Sequence, residues 1–217
     1  MISLCNGWEF IENWSDGFDC AQRVRLPHTV KELPLHYIDH NSYQMICGYR
    51  RVLEVSEEML EEKFHGCSVG SVGAWNMDAR GINSLQRYAV EHTRLGIPVM
   101  FVEEGLHGSS ALGCTIFPQQ IGLASSFDPE VSRQMGHVIA TESRASGIHE
   151  VWSPVMDLMR DPRFGRTEEA YGEDTFLASE FAREGVLGMQ GDSLAAPDSV
   201  ISEPKHYAAY GSPVAGL

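Results

Sequence analysis

The sequence predicts an α/β protein with a short β-rich leader, and three observations carry that prediction. From about residue 59 onward, apolar runs of strand length alternate with runs whose apolar residues recur at helical spacing. Three of the apolar runs end in dense clusters of charged residues, at Glu103-Glu104, at 157–166 and at Lys205-His206. Short runs within the first 58 residues, by contrast, alternate apolar and polar with the period of a strand. The segment 59–217 holds about four strand and three helix patterns, which argues a parallel sheet or a (β/α) barrel. Four β/α units would be half of an eight-unit barrel, which typically takes about 250 residues. The expected organisation is therefore a leader over 1–58 and a partial barrel over 59–217.

In the leader, Gly7-Trp8-Glu9-Phe10 and Asn13-Trp14 set turn residues beside aromatics, as short strands do. Arg23-Val24-Arg25-Leu26 alternates before Pro27 ends it, and residues 49–55 alternate again. Residues 33–44 between them are polar and contain Pro34, which suits a loop.

In the second segment, the small-residue run 68–74 is a candidate first buried strand. INSLQRYAVEHTRL at 82–95 places Ile82, Leu85, Tyr88 and His92 at helical spacing, with Gly96 suited to the end of the helix. The apolar run 97–102 is the next strand and tolerates Pro98 at its start. Asp128-Pro129 opens a helix, with Asp as cap and Pro at the first position, extending to Gly147. A strand over 150–156 leads into the loop 157–173, which Pro162 and Gly165 punctuate. Asp174 opens a further helix ending near 188–191, and 199–202 is the last strand. Glu168, Glu169, Glu173 and Asp174 read as caps and acids of that helix's first turn.

The net charge of −14 argues against a general phosphate-backbone binder, which needs a basic face, so no nucleic-acid partner is expected. No run of about 18 apolar residues is present, so no membrane span is expected. The opening MISLCNGWEF shows neither a basic n-region nor a long apolar stretch, and a cytoplasmic location is expected. Five widely spaced cysteines without a CxxC pair read as reduced thiols. Nine scattered histidines without HExxH support no metal centre, although His107, His137 or His206 with carboxylates offers a metal-hydrolase alternative on residue type alone.

In a parallel sheet the C-terminal strand ends share one edge, which would gather the three charged clusters into one bowl. Mixed carboxylates, guanidinium groups, an ammonium and imidazoles suit a neutral, hydroxyl-rich ligand, whereas an anion would favour the bases alone. On its own, the loop at 153–174 is equally readable as a surface loop laced by ion pairs.

Two resemblances sharpen this reading. NGWEF, VRLPHT and CGYRRVLEV resemble the opening of the sugar-binding jelly roll of glycoside hydrolase family 2. RLGIPVMFVEEGLHG, TIFPQQIGLASSFDPE, SPVMDLMRDPRFGRTEEAYGED and PKHYAAYG resemble, in order and spacing, the N-terminal barrel of glycoside hydrolase family 3, the β-glucosidase and β-xylosidase family. The second resemblance covers about residues 59–217 and implies half of a (β/α)8 TIM barrel with a carbohydrate as partner and no cofactor.

Carried over position by position, Glu104 falls where the family's pocket carboxylate, commonly Asp, holds the sugar hydroxyls; Glu is the variant of xylosidase-like branches. Arg166, Lys205 and His206 match the other sugar-binding residues. Glu103 is the neighbouring candidate, while His107, Asp157 and Arg163 are assigned support of the loops. The family's nucleophilic Asp lies on a later barrel strand and its acid/base further on, so no catalytic residue is assigned within these 217 residues. The implied activity is exo-acting, retaining hydrolysis of β-linked glucose or xylose, with an inactive sugar-binding or inert fragment as the alternative. Open barrel edges would also permit self-association.

Overall fold

The computed structural model describes residues 8–11, 19, 21–25, 48–50, 60, 69–75, 77–207 and 210–212. The turn at Asn13-Trp14, the loop 33–44, the strand continuation 51–55 and four of the cysteines (Cys5, Cys20, Cys47, Cys67) lie outside them. The chain divides into two compact units, Met1–Glu57 and Glu58–Leu217.

In the first unit, β1 (Trp8–Ile11) is flanked by β2 (Gln22–Val24) and β3 (Gly48–Arg50) in an antiparallel sheet of order β2-β1-β3. Trp8 faces Val24 and Glu9 faces both Arg23 and Arg50. Phe10 and Ile11 are buried.

In the second unit, β4 (Ser71–Gly73), β5 (Met100–Glu104), β6 (Glu150–Trp152) and β7 (Ile201–Ser202) form an all-parallel sheet in sequence order. Each step crosses over through helix, as parallel pairing requires. The first strand is three residues, shorter than the run 68–74, and the second sits further along than 97–102, running through both glutamates. The reason for that shift is local. The Gln86 side chain accepts from Val99 N at 2.7 Å and donates to Val99 O at 2.9 Å, taking both of that residue's ladder groups.

The helix α1 (Ala79–His92) begins earlier than the apolar spacing suggests, because Asp78 caps it by accepting from Gly81 N at 2.8 Å. A short helix absent from the sequence reading, α2 (Gln120–Ala124), follows, then α3 (Glu130–Ala145) and α4 (Thr175–Gln190). Asp174 caps α4 by accepting from Leu177 N at 2.7 Å. The helix carries no acid in its first turn: Glu168 and Glu169 belong instead to a single 3-10 turn, Thr167–Glu169, which corrects their assignment to α4.

The core lies between one face of the sheet and the helices. Phe101 and Val151 from the strands, with Val200 just before β7, meet Ile82 and Ala89 of α1, Met135, Ile139 and Ala140 of α3, and Met189 of α4. The helices α3 and α4 touch backbone to backbone where Gly188 passes the Arg133 carbonyl, a spacing that a Cβ at 188 would obstruct. Edge-side, the ion pair between Arg133 Nε and buried Glu184 at 2.5 Å ties the same two helices. No helix among the described residues is long and apolar enough to cross a membrane.

Candidate functional site

The parallel order places the C-terminal ends of β5, β6 and β7 side by side. Pairing of β6 with β7 continues past both strands, with Met156 N donating to Lys205 O at 2.8 Å and Lys205 N to Pro154 O at 2.9 Å. This fixes where the segment carrying Lys205 and His206 runs. The Ser153-Pro154 and Lys205-His206 peptides are both cis.

Four sequence-assigned residues, Glu104, Arg166, Lys205 and His206, meet here in two linked groups. Lys205 Nζ lies 2.5 Å from Glu104 Oε2, with both side chains mostly shielded, at 13% and 26% exposure. His206 Nδ1 lies 2.7 Å from Asp157 Oδ2, and that carboxylate is buried, with its side chain 3% exposed. Arg166 Nη1 reaches His206 Nε2 at 3.5 Å.

Asp157, assigned support of the loops, has its partner across the gap to the next strand's loop, in His206. Arg163 pairs within its own loop, through two bonds to Asp161 at 2.9 and 2.7 Å. That pair is open to solvent, and the Arg163 hydrogen bonds hold the Asp161 carboxyl down at about 2.

Two residues were missed. Glu169, read as a helix acid, grips Arg166 in a two-pronged pair, Nε to Oε1 at 2.8 Å and Nη2 to Oε2 at 2.6 Å. Those bonds raise the guanidinium pKa further above its ordinary range. The only sequence signal was the spacing of three between Arg166 and Glu169.

Tyr210 had no assigned role, yet its ring sits 4.3 Å from the His206 ring and edge-on to Phe164 at 5.4 Å. The Arg166 guanidinium carbon lies 5.6 Å from its centroid. Tyr210 thus clasps the β6 loop to the β7 loop.

Glu103 points away from its neighbour. It is 2% exposed, and its Oε1 accepts from Glu104 N at 2.9 Å, so it braces the backbone that carries Glu104. Burial, reinforced by the adjacent Glu104 charge, pushes its pKa up, against the lowering effect of that backbone bond.

His107 holds the loop after β5: its Nδ1 lies 3.1 Å from Phe117 O, and Phe117 N donates to His107 O at 2.7 Å. Glu142 pins the same loop by accepting from both Thr115 N and Thr115 Oγ1 at 2.8 Å. The three histidines of the metal alternative serve separate surroundings. His107 meets Phe117, His206 meets Asp157, and His137 lines a cavity of about 440 Å³ with Arg133 and Leu187. No group of three metal-ligating side chains forms among the described residues.

Chemically, the strand ends offer a carboxylate, an ammonium, a guanidinium edge and an imidazole, each held by a second protein group. Such an array hydrogen-bonds a polar, uncharged ligand with fixed geometry.

The profile of the glycosyl hydrolase family 3 N-terminal domain matches residues 38–216. A putative β-xylosidase of Formosa agariphila is 36% identical over 170 residues, covering 76% of this chain and 22% of that protein. A periplasmic β-glucosidase of Salmonella typhimurium is 41% identical over 170 residues, covering 76% and 21%. The crystal structure of a β-glucosidase from Listeria innocua in complex with isofagomine superposes with a TM-score of 0.65 at 37% identity, covering 75% of this chain and 22% of that one. The chain thus spans about a fifth of the length of these relatives. The family 2 resemblance of residues 1–58 gains no support from these matches, and the family 3 profile reaches back into that segment. With its parallel α/β sheet and its profile match across most of its length, the chain belongs to glycosyl hydrolase family 3.

Proposed function

We propose that this chain supplies the sugar-holding side of a family 3 glycosidase that acts on terminal β-linked glucose or xylose. In this reading the four parallel strands are half of a (β/α)8 barrel, and the bowl at their C-terminal ends is the subsite for the terminal sugar. The supporting observation is the meeting of Glu104 with Lys205, and of His206 with Arg166, at adjacent strand ends. Glu104 accepts hydroxyl hydrogens, while Lys205 and Arg166 donate to hydroxyl oxygens. Hydrogen bonds to charged groups contribute about 1.5–3 kcal/mol each where water is excluded, enough to orient one sugar ring.

The retaining reaction needs two carboxylates about 5–5.5 Å apart, one attacking the anomeric carbon and one protonating the leaving oxygen. None of the four proposed ligands takes either part. Glu104 is already neutralised by Lys205, which suits binding rather than attack. The proposal therefore includes a negative: these 217 residues alone bind a sugar without hydrolysing its glycosides. The outer strands β4 and β7 have no neighbour beyond them among the described residues, so self-association through these edges is part of the same proposal.

Titration calorimetry with glucose and xylose, beside an aryl β-glucoside and β-xyloside assay, tests this reading. The expected result is saturable binding that Glu104→Ala abolishes, with no turnover. Turnover by the chain alone that is lost on Lys205→Ala would contradict the assignment of a purely binding role.

A further inference from the structure

We propose that Asp157 is a positioning residue that fixes the tautomer of His206, making its Nε2 a hydrogen-bond acceptor facing the sugar subsite. The inference rests on the sugar reading above for the identity of the ligand, but its physical basis is independent of it. An imidazole with one proton has one donor nitrogen and one acceptor nitrogen, and its neighbours decide which is which. His206 Nδ1 is 2.7 Å from Asp157 Oδ2, and an ionised carboxylate can only accept. On the other side, His206 Nε2 is 3.5 Å from Arg166 Nη1, and a guanidinium can only donate. The two neighbours therefore make opposite demands, and one tautomer meets both: hydrogen on Nδ1, lone pair on Nε2. A ring protonated on both nitrogens would turn an N–H toward a cation that is itself fixed by Glu169.

The consequence is a polarity pattern for the subsite. Glu104 and His206 Nε2 accept, while Lys205 and the Nη1 edge of Arg166 donate. A sugar hydroxyl donates one hydrogen and also accepts, so an array with two groups of each kind can meet a pair of hydroxyls in full. At 3.5 Å the Arg166 guanidinium is near enough to favour a lone pair on Nε2 over an N–H, and loosely enough placed to share that lone pair with a hydroxyl. Tyr210, 4.3 Å from the imidazole, limits rotation of the ring. Asp157 is suited to its part because its side chain is buried and held at one end of the pair.

The test is the protonation pattern of His206 in the 15N-labelled 217-residue chain, read from long-range proton–nitrogen correlations of the imidazoles. Its signals among the nine histidines are identified by their loss in His206→Gln. The expected wild-type pattern is a protonated-type shift at Nδ1 and an unprotonated-type shift at Nε2. In Asp157→Ala nothing accepts from Nδ1, so the single tautomer gives way to exchange-averaged shifts at both ring nitrogens, and affinity for glucose or xylose falls about tenfold. A wild-type ring protonated on Nε2, or an unchanged Nδ1-protonated pattern in Asp157→Ala, overturns the proposal; the wild-type spectrum decides even if the variant does not fold. Absence of sugar binding by the wild-type chain overturns the sugar reading and the Nε2–hydroxyl contact with it, whatever tautomer is found.

Discussion

Lys205 and Glu104, 101 positions apart in sequence, meet at 2.5 Å at the ends of β7 and β5. Their strands are not neighbours in the sheet, since β6 lies between them, so the pair bridges across β6 at the C-terminal edge of the sheet. Removing the ammonium leaves a largely shielded carboxylate without its counter-charge. Lys205→Ala is expected to lower stability by about 1.5–3 kcal/mol, the scale of a hydrogen bond to a charged group. A double-mutant cycle with Glu104→Gln, read from urea midpoints, should return a coupling of similar size.

Arg166 depends on Glu169 for its direction. Glu169→Gln replaces one of the two acceptor oxygens by a donor and breaks the two-pronged grip, so sugar affinity should drop about tenfold. Arg163→Ala on the same loop removes only the solvent-exposed pair with Asp161 and should leave both affinity and the denaturation midpoint unchanged. Equal effects from the two variants would show that the loop, rather than the guanidinium, matters.

Glu103 gives the site a pH signature. Burial raises its carboxyl pKa above the ordinary 4.5, so the folded chain holds that proton more tightly than the unfolded chain. Its contribution to stability is therefore fullest below pH 4.5 and is lost as pH rises through the raised value. Glu103→Gln keeps an oxygen for the Glu104 amide and carries no charge. It should raise the urea midpoint at neutral pH, with the gap to wild type closing as pH falls toward 4.5.

What could be read in the sequence was local. Asp174 before an apolar-periodic run marks the start of α4 at the residue where the cap forms. The run ending in Glu103-Glu104 marks β5, although its register could not be set without the Gln86 side chain that occupies Val99. The helix α2 escaped notice because Gln119, at its cap position, makes no side-chain cap bond. The partners of the bowl residues were harder still. Asp157 meets His206 49 positions away, a pairing that no spacing rule contains and that follows only from the parallel order of β6 and β7. Glu169 was within reach at three positions from Arg166, but a helix N-terminus downstream offered a competing explanation for the same acid.

The packing of α3 on α4 sets the frame beneath the site. Gly188→Ala forces a methyl against the Arg133 carbonyl and should cost about 1–3 kcal/mol in a denaturation experiment. Gly165→Ala, in the loop carrying Arg166, meets nothing within 4 Å and should be neutral or slightly stabilising.

The most direct test of the sugar-holding role is the map of backbone and side-chain resonances that move when glucose or xylose is titrated into the labelled chain. The account predicts saturable changes concentrated at Glu104, Arg166, Lys205 and His206, with Arg133 and His137 at the α3–α4 cavity unmoved. Saturable changes at that cavity with the strand-end residues still, or no saturable change with either sugar, would contradict it.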